Sequence, residues 1–152
     1  MIACVRLATL AILVVTLGAF AARAEPGEDQ TATIPRTARP PDAKLYIISP
    51  QNGETVTSPV TVRFGLSGMG VAPAGVATPD TGHHHLIVDA PTPSADAPIP
   101  KDEKHIHFGG GQTETTLSLT PGTHTLQLVL GDKDHVMQSP PLVSETVTIT
   151  VK

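Results

Sequence analysis

The chain has 152 residues and a formal charge of −4, with seven histidines, one cysteine and no tryptophan. That length fits one domain of ordinary size. The acidic balance argues against electrostatic binding of nucleic acid or anionic lipid, and it is compatible with binding cations.

Residues 1–24 read as a secretory signal peptide. Arg6 gives a weakly positive start, LATLAILVVTLGAFAA is an apolar centre too short for a comfortable membrane span, and Ala22-Arg23-Ala24 supplies a small-x-small cleavage pattern before Glu25. Cleavage after Ala24 places the mature chain in the periplasm or outside the cell, with no membrane span expected in it. It removes Cys4, so no disulfide or Cys-based zinc site is available to the mature chain. It also removes Arg6 and Arg23, leaving eight basic residues against 14 acidic ones and taking the formal charge to −6.

Residues 25–43, EPGEDQTATIPRTARPPDA, carry four prolines and few large apolar side chains, the composition of a disordered linker. From residue 44 the pattern is strand after strand. LYIISP (45–50) is β-branched and closed by proline. PVTVRFGL (59–66) alternates, with Val60, Val62, Phe64 and Leu66 on one face. SGMGVAPAGVATPDTG (67–82) is a loop, HHHLIVDA (83–90) a strand, APTPSADAPIPKDE (90–103) a loop, and KHIHF (104–108) a short strand. TETTLSLT (113–120) and THTLQLVLGD (123–132) flank Pro121-Gly122, a hairpin turn signal. LVSETVTITVK (142–152) alternates after a proline break. No stretch keeps a helical period. About seven short strands over residues 44–152 predict an all-β fold, an antiparallel immunoglobulin-like β-sandwich.

The histidines carry the chemistry. Side chains alternate along a strand. Leu86 and Val88 are expected in the core, on the same face as His84. His83, His85 and Asp89 then face the other way. In KHIHF, Ile106 and Phe108 take the core side, and His105 and His107 the outer side. An H-x-H on each of two neighbouring strands brings the imidazoles together, because opposed Cβ atoms lie roughly 4.5–5.5 Å apart. Imidazole suits zinc and copper. The expected metal ligands are therefore His83, His85, His105 and His107. His135, in the GDKDHV loop, is a distal ligand, and Asp89 is an acceptor behind them. The thioethers of Met69 and Met137 add weak support for copper. His124 follows a tight turn and is expected to bond locally. The triple glycine of HFGGGQTE precedes a strand rather than a helix. It reads as a bend that lets backbone approach the histidines, not as a phosphate cradle.

The motifs GHHHL and HFGGGQTE, with IISPQNGETV before them and PGTHTLQLVLGDKDHV after, resemble a bacterial family of small exported domains of unknown function. The resemblance spans about residues 45–152 and implies an exported β-domain without an assigned ligand. Two functions follow from the residues: an exported protein binding copper or zinc through clustered histidines, or a cell-envelope immunoglobulin-like interaction module with a protein partner and no metal. The second takes over if the two histidine strands lie apart. An enzymatic reading ranks behind both, since it needs an open coordination position and a nearby acid or base such as Glu114.

Overall fold

The computed structural model describes residues 34–152. The expected signal peptide and the first part of the expected linker lie outside the described residues. The fold is all-β, with no helix among the described residues and so none long and apolar enough to cross a membrane.

Nine strands form two sheets. The smaller sheet has the order β1 (Lys44–Ser49), β3 (Val60–Ser67), β7 (Glu114–Leu117). The larger runs β2 (Thr55–Val56), β9 (Val147–Val151), β8 (Gly122–Gly131), β5 (Thr81–Val88), β4 (Gly70–Val71). Strand β6 (His105–His107) pairs with β5 beyond the short β4. Each of the seven expected runs contains a strand. The two-residue strands β2 and β4 fall in segments whose turn residues read as loops.

Alternation builds the core. Val60, Val62 and Phe64 of β3 meet Leu86 and Val88 of β5, Leu126, Leu128 and Leu130 of β8, and Ile149 and Val151 of β9 in one buried cluster shared by both sheets. Burying each such side chain contributes on the order of 1.5–3 kcal/mol. Pro121-Gly122 does not close a hairpin. Strand β7 pairs with β3 and strand β8 with β5 and β9, so the chain crosses between sheets there. Both strands still turn an apolar face to the common core, which is why their pattern looks like that of a hairpin.

The opposite face of the larger sheet is also covered. Ile87 and Val129, which alternate with the core residues, pack with Ile99 and Met137 in a second buried cluster. Ile99 comes from the proline-rich loop after β5, and Met137 from the segment after β8. The two segments are tied where the Ile99 N–H donates to the His135 carbonyl at 2.8 Å.

The later part of the expected linker is held in place. Arg36 donates from Nε to the Met137 carbonyl at 3.0 Å, and from its guanidinium to the Gln138 carbonyl. The Ser139 N–H donates to the Thr37 carbonyl at 2.8 Å, and the Arg39 Nε to the Pro140 carbonyl at 3.0 Å. Ordered contacts therefore begin before Lys44. They depend on two arginines whose long, multi-donor side chains composition alone reads as solvated.

Candidate metal centre

Strand β5 carries His83, His84 and His85 between two partners. On one side it pairs with β8, placing His83 opposite Gly131 and His85 opposite Val129. On the other it pairs antiparallel with β6, placing His85 opposite His107 and Ile87 opposite His105. The two histidine-bearing strands are neighbours.

Four imidazoles converge at this point. The His83 and His85 Nε2 atoms are 3.0 Å apart, and those of His107 and His135 are 3.1 Å apart. One ring nitrogen from each of His83, His107 and His135 lies within 4.8 Å of the other two. His83 and His85 are fully buried. They were expected to face outward, and they do lie on the face away from the main core, but the second apolar cluster roofs that face. His135 reaches the group from the loop after β8 with a left-handed backbone, φ 64°. Asp132 shapes that loop. Its Oδ1 accepts from the N–H groups of Asp134 and Val136 at 2.9 and 3.0 Å, and its Oδ2 from the Thr37 hydroxyl at 3.0 Å.

Two glycines leave space for the rings. A Cβ on Gly109 falls 2.3 Å from Cε1 of His107, and one on Gly131 falls 3.0 Å from Nε2 of His85. The first glycine of the GGG run thus lets backbone approach a histidine.

His105 does not join the group. In an antiparallel pair, stepping back from His107 moves along β5 from His85 toward Ile87, away from His83. Its Nδ1 instead lies 2.9 Å from Oδ1 of Asp102. Asp89 is not behind the site either. The strand ends at Val88, and Asp89 turns left-handed (φ 52°), taking its carboxylate out of the alternation. There its Oδ1 accepts from the Thr125 N–H at 2.8 Å, and its Oδ2 lies 2.7 Å from Nδ1 of His124. His124 is the local bonding residue expected, with its Nε2 2.9 Å from the Thr120 carbonyl. Both of its partners are acceptors, which favours the ring with two N–H groups and raises its pKa, first through the bond to Asp89 and then through that to Thr120. Glu114 pairs with Arg63 at 3.2 Å on the exposed surface of the smaller sheet and takes no part in the cluster.

Electrostatics favour the neutral form of His83, His85 and His107. Burial lowers the His83 pKa to about 4, reinforced by charge repulsion from His135 and His107 and partly offset by Asp132. His85 falls to about 2, from burial and then repulsion by His83, His107 and His135. His107 is lowered by burial, then by His135 and by Lys101. Neutral imidazoles present lone pairs, which is the form a metal ion binds. The Nδ1 atoms of His83 and His85 are buried without a protein partner among the described residues. His84 stands apart, on the core side as expected. Its ring centre is 5.2 Å from that of Phe64, and neither of its nitrogens makes a hydrogen bond of good geometry. The Gln112 backbone slightly favours its protonated form, but burial dominates and lowers its pKa to about 4.

The fold and this site define a class: an all-β protein with a partly buried histidine cluster able to hold a metal ion. Its family model covers residues 62–152, which include every clustered histidine, and the chain belongs to that family, Domain of unknown function (DUF4399). No curated protein and no solved structure matches the chain.

Proposed function

We propose that this is an exported periplasmic protein that binds one transition-metal ion, zinc or copper, through His83, His85, His107 and His135. One observation carries it: four imidazoles from β5, β6 and the loop after β8 meet with paired Nε2 atoms at 3.0 and 3.1 Å. Bringing four such rings together, two of them fully buried, is unfavourable unless their lone pairs are used. The two sheets sharing one core are read as an immunoglobulin-like sandwich, and the N-terminal leader as the export signal. The interaction-module alternative would take over if the histidine strands lay apart; the pairing of His85 with His107 favours the metal reading over it.

The test is equilibrium dialysis of the tag-free mature protein, stripped with chelator, against Zn(II) or Cu(II), with metal counted by elemental analysis. One ion per chain is expected for wild type and for His105→Ala. The double variant His83→Ala/His107→Ala should retain less than a tenth of that. Unchanged stoichiometry in the double variant rejects the assignment.

A further inference from the structure

Resting on that reading, we infer that the site is a closed, tetrahedral four-histidine centre for Zn(II), with His85 as the fourth ligand and no position left open for water or substrate. His83, His107 and His135 alone already offer three nitrogens within 4.8 Å of one another. A three-histidine zinc site keeps a reactive fourth position, whereas four protein ligands saturate the ion. The two cases therefore predict different chemistry, and the position of His85 decides between them.

Four nitrogens held about 2.0–2.1 Å from one ion at the corners of a tetrahedron stand roughly 3.3 Å apart, with all six ring-centre separations near about 5 Å. A square plane, the preference of Cu(II), instead gives four separations of about 4.5 Å and two of about 6.3 Å, the long ones linking opposite pairs. Here five of the six separations lie between 4.8 and 5.0 Å. Only His85–His135 is longer, at 6.0 Å. The complementary pair, His83–His107, would be equally long in a square plane, and it is 5.0 Å. The ring planes of the close pairs are inclined by 40° to 81°, so they do not share a common plane.

The surroundings close the fourth position. His85 is fully buried, and the space beside it is bounded by Gly131 and by Ile99, whose Cδ1 lies 3.1 Å from where a Gly131 Cβ would stand. Ile99 packs with Ile87, Val129 and Met137. The carboxylate of Asp132 is committed to Thr37 and to two backbone N–H groups. A donor set of imidazoles alone, without thiolate, favours Zn(II) over Cu(I), and a d10 ion accepts the tetrahedron without a ligand-field penalty. A saturated zinc centre holds the β5, β6 and 132–138 segments together and does not activate water.

Co(II) is the probe. Added to the stripped mature protein, it should give the intense visible absorption of tetrahedral cobalt. One equivalent of Zn(II) should abolish that band, and excess azide should leave it unchanged. In His85→Ala the fourth position opens, so azide should shift the band and Zn(II) affinity should fall at least tenfold. Three results overturn the closed site: weak six-coordinate bands, an azide response in the native chain, or a His85→Ala spectrum identical to wild type. Failure of Zn(II) to displace Co(II) overturns the choice of metal. The azide arm uses the unmodified chain, so it stands even if the variant fails to fold. Uptake of Cu(II) without Co(II) or Zn(II) overturns the choice of metal, whereas absence of uptake of all three rejects the metal-binding function itself, separately from its geometry.

Discussion

Gly109 and Gly110 are neighbours with different roles. A Cβ on Gly109 falls 2.3 Å from Cε1 and 2.7 Å from Nε2 of His107, whereas one on Gly110 meets only the mobile amide end of Gln112, at 3.0 Å. Neither glycine has the left-handed backbone that a side chain would strain. Gly109→Ala therefore acts through the His107 ring, which must swing away from the other three. Binding should weaken by an order of magnitude or more while Tm of the metal-free protein changes by only a few degrees. Gly110→Ala should bind as wild type. Calorimetric titration of both variants with Zn(II) separates these outcomes, and equal affinities would show that the cavity tolerates the methyl group.

At the scale of elements, the site joins two strands whose facing was legible and one loop whose conformation was not. The alternation of HHHLIVD and HIHF placed His83, His85 and His107 on the same side of the sheet, because core-facing Leu86 and Ile106 fix the phase of each strand. Alternation cannot set how far one strand slides along the other, so His105 and His107 looked equivalent until the pairing of His85 with His107 separated them. Nor does it say what covers a face, since Ile99 and Met137 arrive from proline-rich and charged segments. The His135 loop depends on Asp132, whose short carboxylate binds backbone two and four residues on, a local device that the D-x-D-H spacing suggests only in retrospect. Thr37 and Arg36 reinforce it from a segment whose composition signals disorder. Two expectations follow. Asp132→Ala, by leaving two loop N–H groups unpaired, should weaken Zn(II) binding about tenfold or more, while Asp134→Ala should not. Arg36→Ala should lower stability by roughly 1–2 kcal/mol in denaturant melts. Wild-type affinity in Asp132→Ala would mean that His135 is positioned by its packing alone.

For the whole molecule, the three buried adjacent imidazoles and His124 make stability depend on pH in opposite senses. His83 and His84 have folded pKa values near 4 and His85 near 2, all below the ordinary 6.5. In acid the unfolded chain therefore binds more protons than the folded one, and stability must fall as pH drops from about 6.5 through 4. By pH 5 each of these groups removes roughly 1–2 kcal/mol, a large share of the 5–15 kcal/mol typical of a domain. His124 works the other way. Asp89 and Thr120 raise its pKa, so its contribution is present in full below 6.5 and is lost as pH rises through the higher folded value. The metal-free protein should accordingly be most stable above pH 6.5, where the buried rings no longer titrate in the unfolded chain and His124 has not yet lost its proton in the folded one. It should melt at sharply lower temperature by pH 5, and decline gently on the alkaline side by an amount that His124→Gln abolishes. A bound ion changes the acid limb more than the alkaline one, because it competes with protons for His83 and His85 but not for His124. Free Zn(II) at a thousand times its Kd adds about 4 kcal/mol at neutral pH. The loaded protein should hold its Tm to lower pH than the stripped one before the ion is released in a single cooperative step. Calorimetric melts from pH 4.5 to 8.5, with and without one equivalent of Zn(II), read both limbs. Acid limbs that coincide in the two series would place the ion somewhere other than on the buried histidines.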